Sequence, residues 1–244
     1  MSDTTAVNTG PRKGINTRLR AYFNKQIGRD IHSFECLLHV NELYLSHFLK
    51  FSEGDSKAPN KMQGDSLYNL IEQLEPMELT RDTIKPQKVI TKKVRVSKTA
   101  LEVLDQAINL ASTWKREKKP SVFREDHLRM LVLAGKLYRN IPDNLQQYLF
   151  HCQETISQSR WCTTASGYLR IALFDIFDLN KKQEARLYKI VSFVANVYVP
   201  VFVKTNLHPN VPDGPDVILL TRDLMKDFGV PEPVKEIFLN HAER

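Results

Sequence analysis

Ser97-Lys98-Thr99-Ala100-Leu101-Glu102-Val103-Leu104-Asp105-Gln106-Ala107-Ile108-Asn109-Leu110-Ala111-Ser112-Thr113-Trp114 decides the fold class. Leu101, Leu104, Ile108, Ala111 and Trp114 recur at alternating intervals of three and four, so they form one stripe on an α-helix and no face of a strand. Ser97 stands just ahead of the first apolar residue, where a hydroxyl can accept from an unpaired N–H of the first turn, and is read as the N-cap.

The same period continues downstream. Leu128, Leu131, Val132, Gly135 and Tyr138 predict a helix over Glu125–Arg139, and Asp143, following Pro142, is read as the N-cap of another over Asp143–Ile156. Thr163–Phe177 and Lys182–Val199 read as two long helices, with Pro200 ending or kinking the second because proline lacks the N–H and crowds the preceding turn. Leu207–Pro215 reads as a rigid loop, and short helices over Asp216–Phe228 and Glu232–Ala242 follow it.

Upstream the pattern is weaker. Ile15, Leu19, Tyr22, Phe23 and Ile27 mark a helix stopped by Gly28, Ile31–Leu38 a short strand, and His39–Phe51 a helix. Ser52–Asp65 reads as a loop, Asp65–Leu74 as a short helix and Pro76–Lys88 as a linker. Val89–Val96 alternates β-branched with basic residues, as an exposed strand or an extended arm would. The expectation is a mainly α protein with at most two or three short strands, divided into 1–52, a loop and basic linker over 53–96, and an all-helical domain over 97–244.

Composition excludes several classes. The chain has 244 residues and only three cysteines, too few for a disulfide framework, which fits an intracellular protein. The first thirty residues hold no signal-like apolar core. The longest apolar stretch, Ile190 to Val203, is broken by Ser192, Asn196 and Pro200 and falls short of the roughly 18 residues of a membrane span, so no membrane partner is expected.

The net charge is +7, and the cations come in runs. Arg12, Lys13, Arg18, Arg20, Lys25 and Arg29 oppose only Asp30. Lys85, Lys88, Lys92, Lys93, Arg95 and Lys98 have no acid among them, and Lys115, Arg116, Lys118 and Lys119 enclose Glu117. Such clusters bind nucleic-acid phosphates by releasing counterions; a single run is more usually a solvated face. Arg160-Trp161 can stack on a base or touch phosphate, or anchor a helix entry in the core.

Chemistry-bearing clusters are few. Cys36 and His39 are spaced as C-x-x-H, but a structural zinc site takes four ligands and the only other close pair, His151-Cys152, is adjacent in sequence. Packing and capping are expected for them, and no metal ligand is assigned. A thiolate nucleophile would need an activating environment and an orienting third group, neither of which the sequence identifies. No phosphate-binding glycine loop or hydrolase signature occurs.

Three segments in order carry a resemblance. Asp3-Thr4-Thr5-Ala6-Val7-Asn8-Thr9-Gly10, Cys36-Leu37-Leu38-His39-Val40-Asn41-Glu42-Leu43 and Ser159-Arg160-Trp161-Cys162-Thr163-Thr164-Ala165 resemble the D-x-T-x-x-N-T-G, C-x-L-H-x-N-E-L and S-R-W-x-T-x-A segments of an invertebrate transposase-like group, related to the hAT-type DDE transposases. The likeness implies a helical, bundle-like insertion domain behind a small remnant of an RNase H-like α/β core. It implies family-motif roles for Cys36, His39, Asn41, Arg160 and Trp161. It also implies a DNA partner and a nuclear location if DNA is bound; contacts to the DNA are expected from the basic run Lys88, Lys92, Lys93, Arg95 and Lys98 and from Arg160 and Trp161.

A DDE site needs three carboxylates to hold two divalent metals, and only Asp3 matches one, as a vestigial candidate. The first Asp is expected upstream of Met1, and Glu232, Glu236 and Glu243 stand in no recognisable motif. The expected function is therefore that of a domesticated or truncated, non-catalytic, transposase-derived protein with no cofactor, a divalent metal entering only if the missing carboxylates were supplied. The alternative is a stand-alone helical module that binds a protein partner or a second copy of itself, with no nucleic-acid role.

Overall fold

The computed structural model describes residues 18, 21–22, 25–26, 45–49, 51–53, 67–74, 94–119, 121, 123, 125–150, 161–174, 176–207 and 214–236. Among them every regular element is helical, so the protein is mainly α. The elements are α1 (Tyr68–Leu74), α2 (Lys98–Arg116), α3 (Glu125–Lys136), a 3-10 turn (Asp143–Leu145), α4 (Gln147–Phe150), α5 (Trp161–Leu173), α6 (Lys181–Phe193), a π-helical turn (Val194–Tyr198), α7 (Val199–Leu207) and α8 (Gly214–Phe228). Positions 45–49 and 51–53 are helical ahead of α1, and 232–236 behind α8.

The α2 helix forms as its sequence predicts. The Ser97 side chain accepts from the Ala100 N–H at 3.2 Å, and Ala100, Leu104, Ala107, Ile108 and Ala111 are buried along one face. At the far end Lys118 takes the left-handed conformation (φ 54), and the Lys119 N–H reaches back to the Trp114 carbonyl at 2.9 Å, closing the helix as a glycine-type cap does. The chain then folds back so that Phe123 packs on Trp114.

At the centre lies α5. Cys162 and every residue from Thr164 to Phe174 are buried, and α1, α3 and α6 pack around the helix. Gly167 admits α1: a Cβ there would stand 2.5 Å from Ile71 Cγ2. Gly135 on α3 likewise lets Ile108 of α2 come close, where a Cβ would collide with Ile108 Cδ1. The core is continuous from Leu45 to Val234, and the Phe48 ring stacks on Phe193 at 3.7 Å.

Several boundaries differ from expectation, each for a local reason. Pro142, rather than Asp143, occupies the cap position of a 3-10 turn and makes no side-chain cap bond; the Asp143 carboxylate instead accepts from Gln146 Nε2 at 2.7 Å. The α3 helix stops at Lys136 and gives way to a turn at 137–138, and α5 stops at Leu173. Asn180 starts α6 with a reciprocal capping box, accepting from the Lys182 and Gln183 N–H groups while its own N–H donates to Gln183 Oε1.

Pro200 does not end its helix. The π-helical turn widens the coil just before it, at the place where an α register would drive the ring into the carbonyl of Asn196. The helical run Lys181–Thr205 is long and apolar enough to cross a membrane by length and composition, and 83% of its apolar window is buried within the protein's own core. Helix also extends over 52–53, inside the expected loop, and Gly214 and Pro215 belong to the first turn of α8.

Candidate nucleic-acid interface

The basic residues of α2 stand at its two ends. Arg95 and Lys98 are exposed at the N-terminal end, and Lys115, Arg116, Lys118 and Lys119 are exposed at the C-terminal end. Lys98 and Arg116 are 18 positions apart, about five turns, so they share one line of the helix about 27 Å apart. That line is not uniformly basic, since exposed Glu102 and half-buried Asp105 lie between. Asp105 is occupied: its carboxylate accepts from Arg139 Nη1 at 2.6 Å and from the Tyr138 hydroxyl at 3.3 Å. Burial first, and the Asp105 charge second, push the Tyr138 phenol well above its ordinary range.

At the N-terminal end Ser97 has an extended backbone, and the described part of the arm, 94–97, makes no strand. It is held by Asn196, a buried residue of the π-helical turn. Asn196 Oδ1 accepts from the Ser97 N–H at 2.7 Å, while Nδ2 donates to the Arg95 carbonyl at 3.0 Å and the Ser192 carbonyl at 2.8 Å. One amide therefore satisfies the cap residue, the arm and a carbonyl beside the widened turn. Beside this junction lies an open groove of about 250 Å³ that includes Arg95, Ser97, Asn196, Asp227 and Phe228. Its charge is mixed, cationic on the arm and anionic on α8.

The C-terminal cluster is fixed more firmly. Lys115 Nζ donates to the Tyr148 hydroxyl at 3.2 Å and lies 5.3 Å from that ring's centroid. Glu117, the one acid within the run, pairs with Lys119 at 2.7 Å, and this hydrogen bond and charge hold its carboxyl below the usual range.

Of the residues that the sequence points to, Asp3, Cys36, His39, Asn41, Lys88, Lys92, Lys93, His151, Cys152 and Arg160 lie outside the described residues, as does the side chain of Trp161. Arg95 and Lys98 are exposed as a contact role requires. The described remainder of the S-R-W-x-T-x-A segment is interior: Cys162, Thr164 and Ala165 are buried and Thr163 half-buried, so these residues pack. Among the described residues no three His, Cys, Asp or Glu side chains gather where one metal ion could be held.

Two constellations escape a reading of the sequence. Glu53, buried at its side chain, accepts from the Leu67 N–H at 3.0 Å and meets Arg186 Nη1 at 3.5 Å across 133 residues. It also lies by Tyr168, whose phenol is raised by burial and then by the Glu53 charge. The second is a set of lysines on α6, which no run in the sequence announces because Gln183 to Tyr188 separate them. No family model matches the chain, and no curated protein or solved structure matches it either.

Proposed function

We propose that the chain is a non-catalytic, transposase-derived helical protein that binds DNA through exposed cations at the ends of α2, with a small RNase H-like remnant ahead of its helical domain. The remnant and the ancestry rest on the order of the three sequence segments around Asp3, Cys36 and Trp161. The observation that carries the binding role is the cluster Lys115, Arg116, Lys118 and Lys119, whose one interspersed acid is already paired. Lys118 adds weight. Its left-handed backbone is adopted at least cost by glycine and asparagine, so a cation stands there against conformational preference. The cluster also sits at the negative end of the α2 dipole, where cations are favoured before any partner arrives.

Phosphate contacts position without specifying sequence. Replacing Lys115, Arg116, Lys118 and Lys119 together by Gln is therefore expected to weaken binding to all duplex sequences alike. Fluorescence anisotropy against a labelled duplex at two salt concentrations tests this: the log–log slope falls by about 0.9 for each phosphate that the variant no longer neutralises. Absence of wild-type binding at low salt overturns the proposal.

The protein-interaction alternative has one observation in its favour. Leu219 on α8 is 46% exposed, between half-buried Ile218 and Leu220. If that reading is right, Leu219→Asp abolishes a partner or self-association detected by sedimentation, while the quadruple Gln change leaves it intact.

A further inference from the structure

The exposed positions of α6 fall into one stripe. Lys181, Lys182, Ala185, Tyr188 and Lys189 are all exposed, and at 3.6 residues per turn they occupy about 120° of the helix circumference. The stripe is about 12 Å long and contains three lysines and an aromatic ring but no acid. Glu184 is half-buried to its side, and Arg186 is turned to Glu53. At the upper end Lys189 Nζ lies 4.8 Å from the centroid of the Phe51 ring, itself 55% exposed.

Two features of the stripe are costly to the folded monomer. Lys181 and Lys182 stand in the first turn of α6, at the positive end of its dipole, where lysine is disfavoured. Phe51 and Tyr188 are two of only four large hydrophobic side chains that stand exposed among the described residues. A cation at a helix start and an aromatic ring facing water both gain from the same kind of ligand, a chain of phosphates carrying flat apolar bases.

We propose that this α6 stripe, with Phe51, binds an unpaired stretch of nucleic acid, the lysines on phosphates and Tyr188 and Phe51 stacked on bases. The proposal rests on the DNA-binding reading for the identity of the polyanion, and extends it to the strand state. A duplex hides its base faces within the stack, so exposed aromatics reach them only where strands are open. Lysines alone would serve a duplex equally; the aromatics are what favour the single strand. An acidic protein segment would satisfy the lysines and offer no flat base to the exposed faces of the two rings.

The test measures affinity for a labelled oligothymidylate and for a hairpin duplex of equal phosphate count, at one salt concentration. The ratio of the two affinities is expected to fall roughly tenfold in Tyr188→Ala, and again in Phe51→Ala, while Tyr188→Phe keeps it. Lys181→Gln with Lys182→Gln is expected to lower oligothymidylate affinity and flatten its salt dependence. This pair lies on the surface, so it carries the test even if Phe51→Ala fails to fold. An unchanged ratio in Tyr188→Ala, unchanged affinity in the lysine pair, or displacement of the oligonucleotide by polyglutamate at equal charge overturns the proposal. Loss of duplex binding in the α2 quadruple change concerns the other surface. If that change has no effect while the α6 variants behave as expected, the α2 reading fails and this one stands.

Discussion

The α2 and α5 helices lie in one core but solve different packing problems. The α2 helix is wet on one side: Glu102, Gln106 and Asn109 are exposed while Ala100, Leu104 and Ile108 are buried. From Thr164 onward the α5 helix is covered on all sides, so even Thr164, Ser166, Tyr168 and Arg170 are interior. Its hydroxyls are therefore accommodated within the helix where possible, as when Ser166 Oγ donates to the Cys162 carbonyl at 3.1 Å. A helix with a wet side announces itself by period. One without such a side is constrained at every position, and its sequence carries the constraint as residue identity rather than pattern.

The largest expected contrast follows from burial. Leu169→Ala on α5 removes a fully buried side chain with no solvent face into which the structure could relax, and is expected to cost about 2–5 kcal/mol. Asn109→Ala on exposed α2 is expected to change stability by no more than about 0.5 kcal/mol. Chemical denaturation of both variants measures the difference. Equal effects would break the contrast between the two helices.

A smaller effect separates two glycines. Alanine in a helix interior gains up to about 1 kcal/mol over glycine from backbone propensity alone. At Gly135 the new methyl meets Cδ1 atoms, the far ends of Ile108 and Ile141, which can turn away. At Gly167 it meets Cγ2, Cγ1 and Cδ1 of Ile71 together, a whole β-branched side chain stiff at χ1. Gly167→Ala is expected to lose about 1–3 kcal/mol net to overpacking, and Gly135→Ala distinctly less. Thermal melting of the pair checks the order; a reversed order would mean that α1 yields more easily than α2.

Legibility tracks the same division. The start of α2 and its buried face are readable because the Ser97 cap and the period act within a few residues. The ends of α5 are not, since its full burial erases the polar side from which a boundary is read. Pro200 misleads as a helix stop because its clash is absorbed by a π-helical turn, which no local rule places. Glu53 reads as part of a polar loop, and only the fold brings Arg186 to it. Asn196 reads as an interruption in an apolar run; its partners at Arg95 and Ser97 are about a hundred residues away in sequence. At the candidate interface, contiguous cations are legible as runs, whereas the α6 lysines form a cluster only once wound on a helix and left uncovered.

The smallest effect appears only at alkaline pH, and it compares a tyrosine inside the fold with one at the edge of α2. Tyr168 is fully buried by Glu53, and Tyr138 is half-buried against Asp105, with Arg139 nearby partly offsetting the shift. Both phenols are raised, in each case first by burial, so the folded protein holds these protons more tightly than the unfolded chain. Their stabilisation is complete below the unfolded phenol's value of about 10 and is lost as pH rises from there towards the folded value, because the unfolded state then binds fewer protons. Stability is thus expected to decline above about pH 10, with nothing lost at neutrality. Tyr168→Phe and Tyr138→Phe should each flatten that decline, and by the same amount up to about pH 11, because both folded phenols stay protonated there and the loss is set by the unfolded chain's value of about 10. Melting temperatures from neutral pH to about pH 11, each variant read against wild type, remove the common contribution of lysine titration. A weaker flattening by Tyr138→Phe would mean that its half-buried phenol already ionises in the folded protein within this range, so that burial and Asp105 at the wet edge of α2 hold its proton less tightly than the closed interior around α5 holds that of Tyr168.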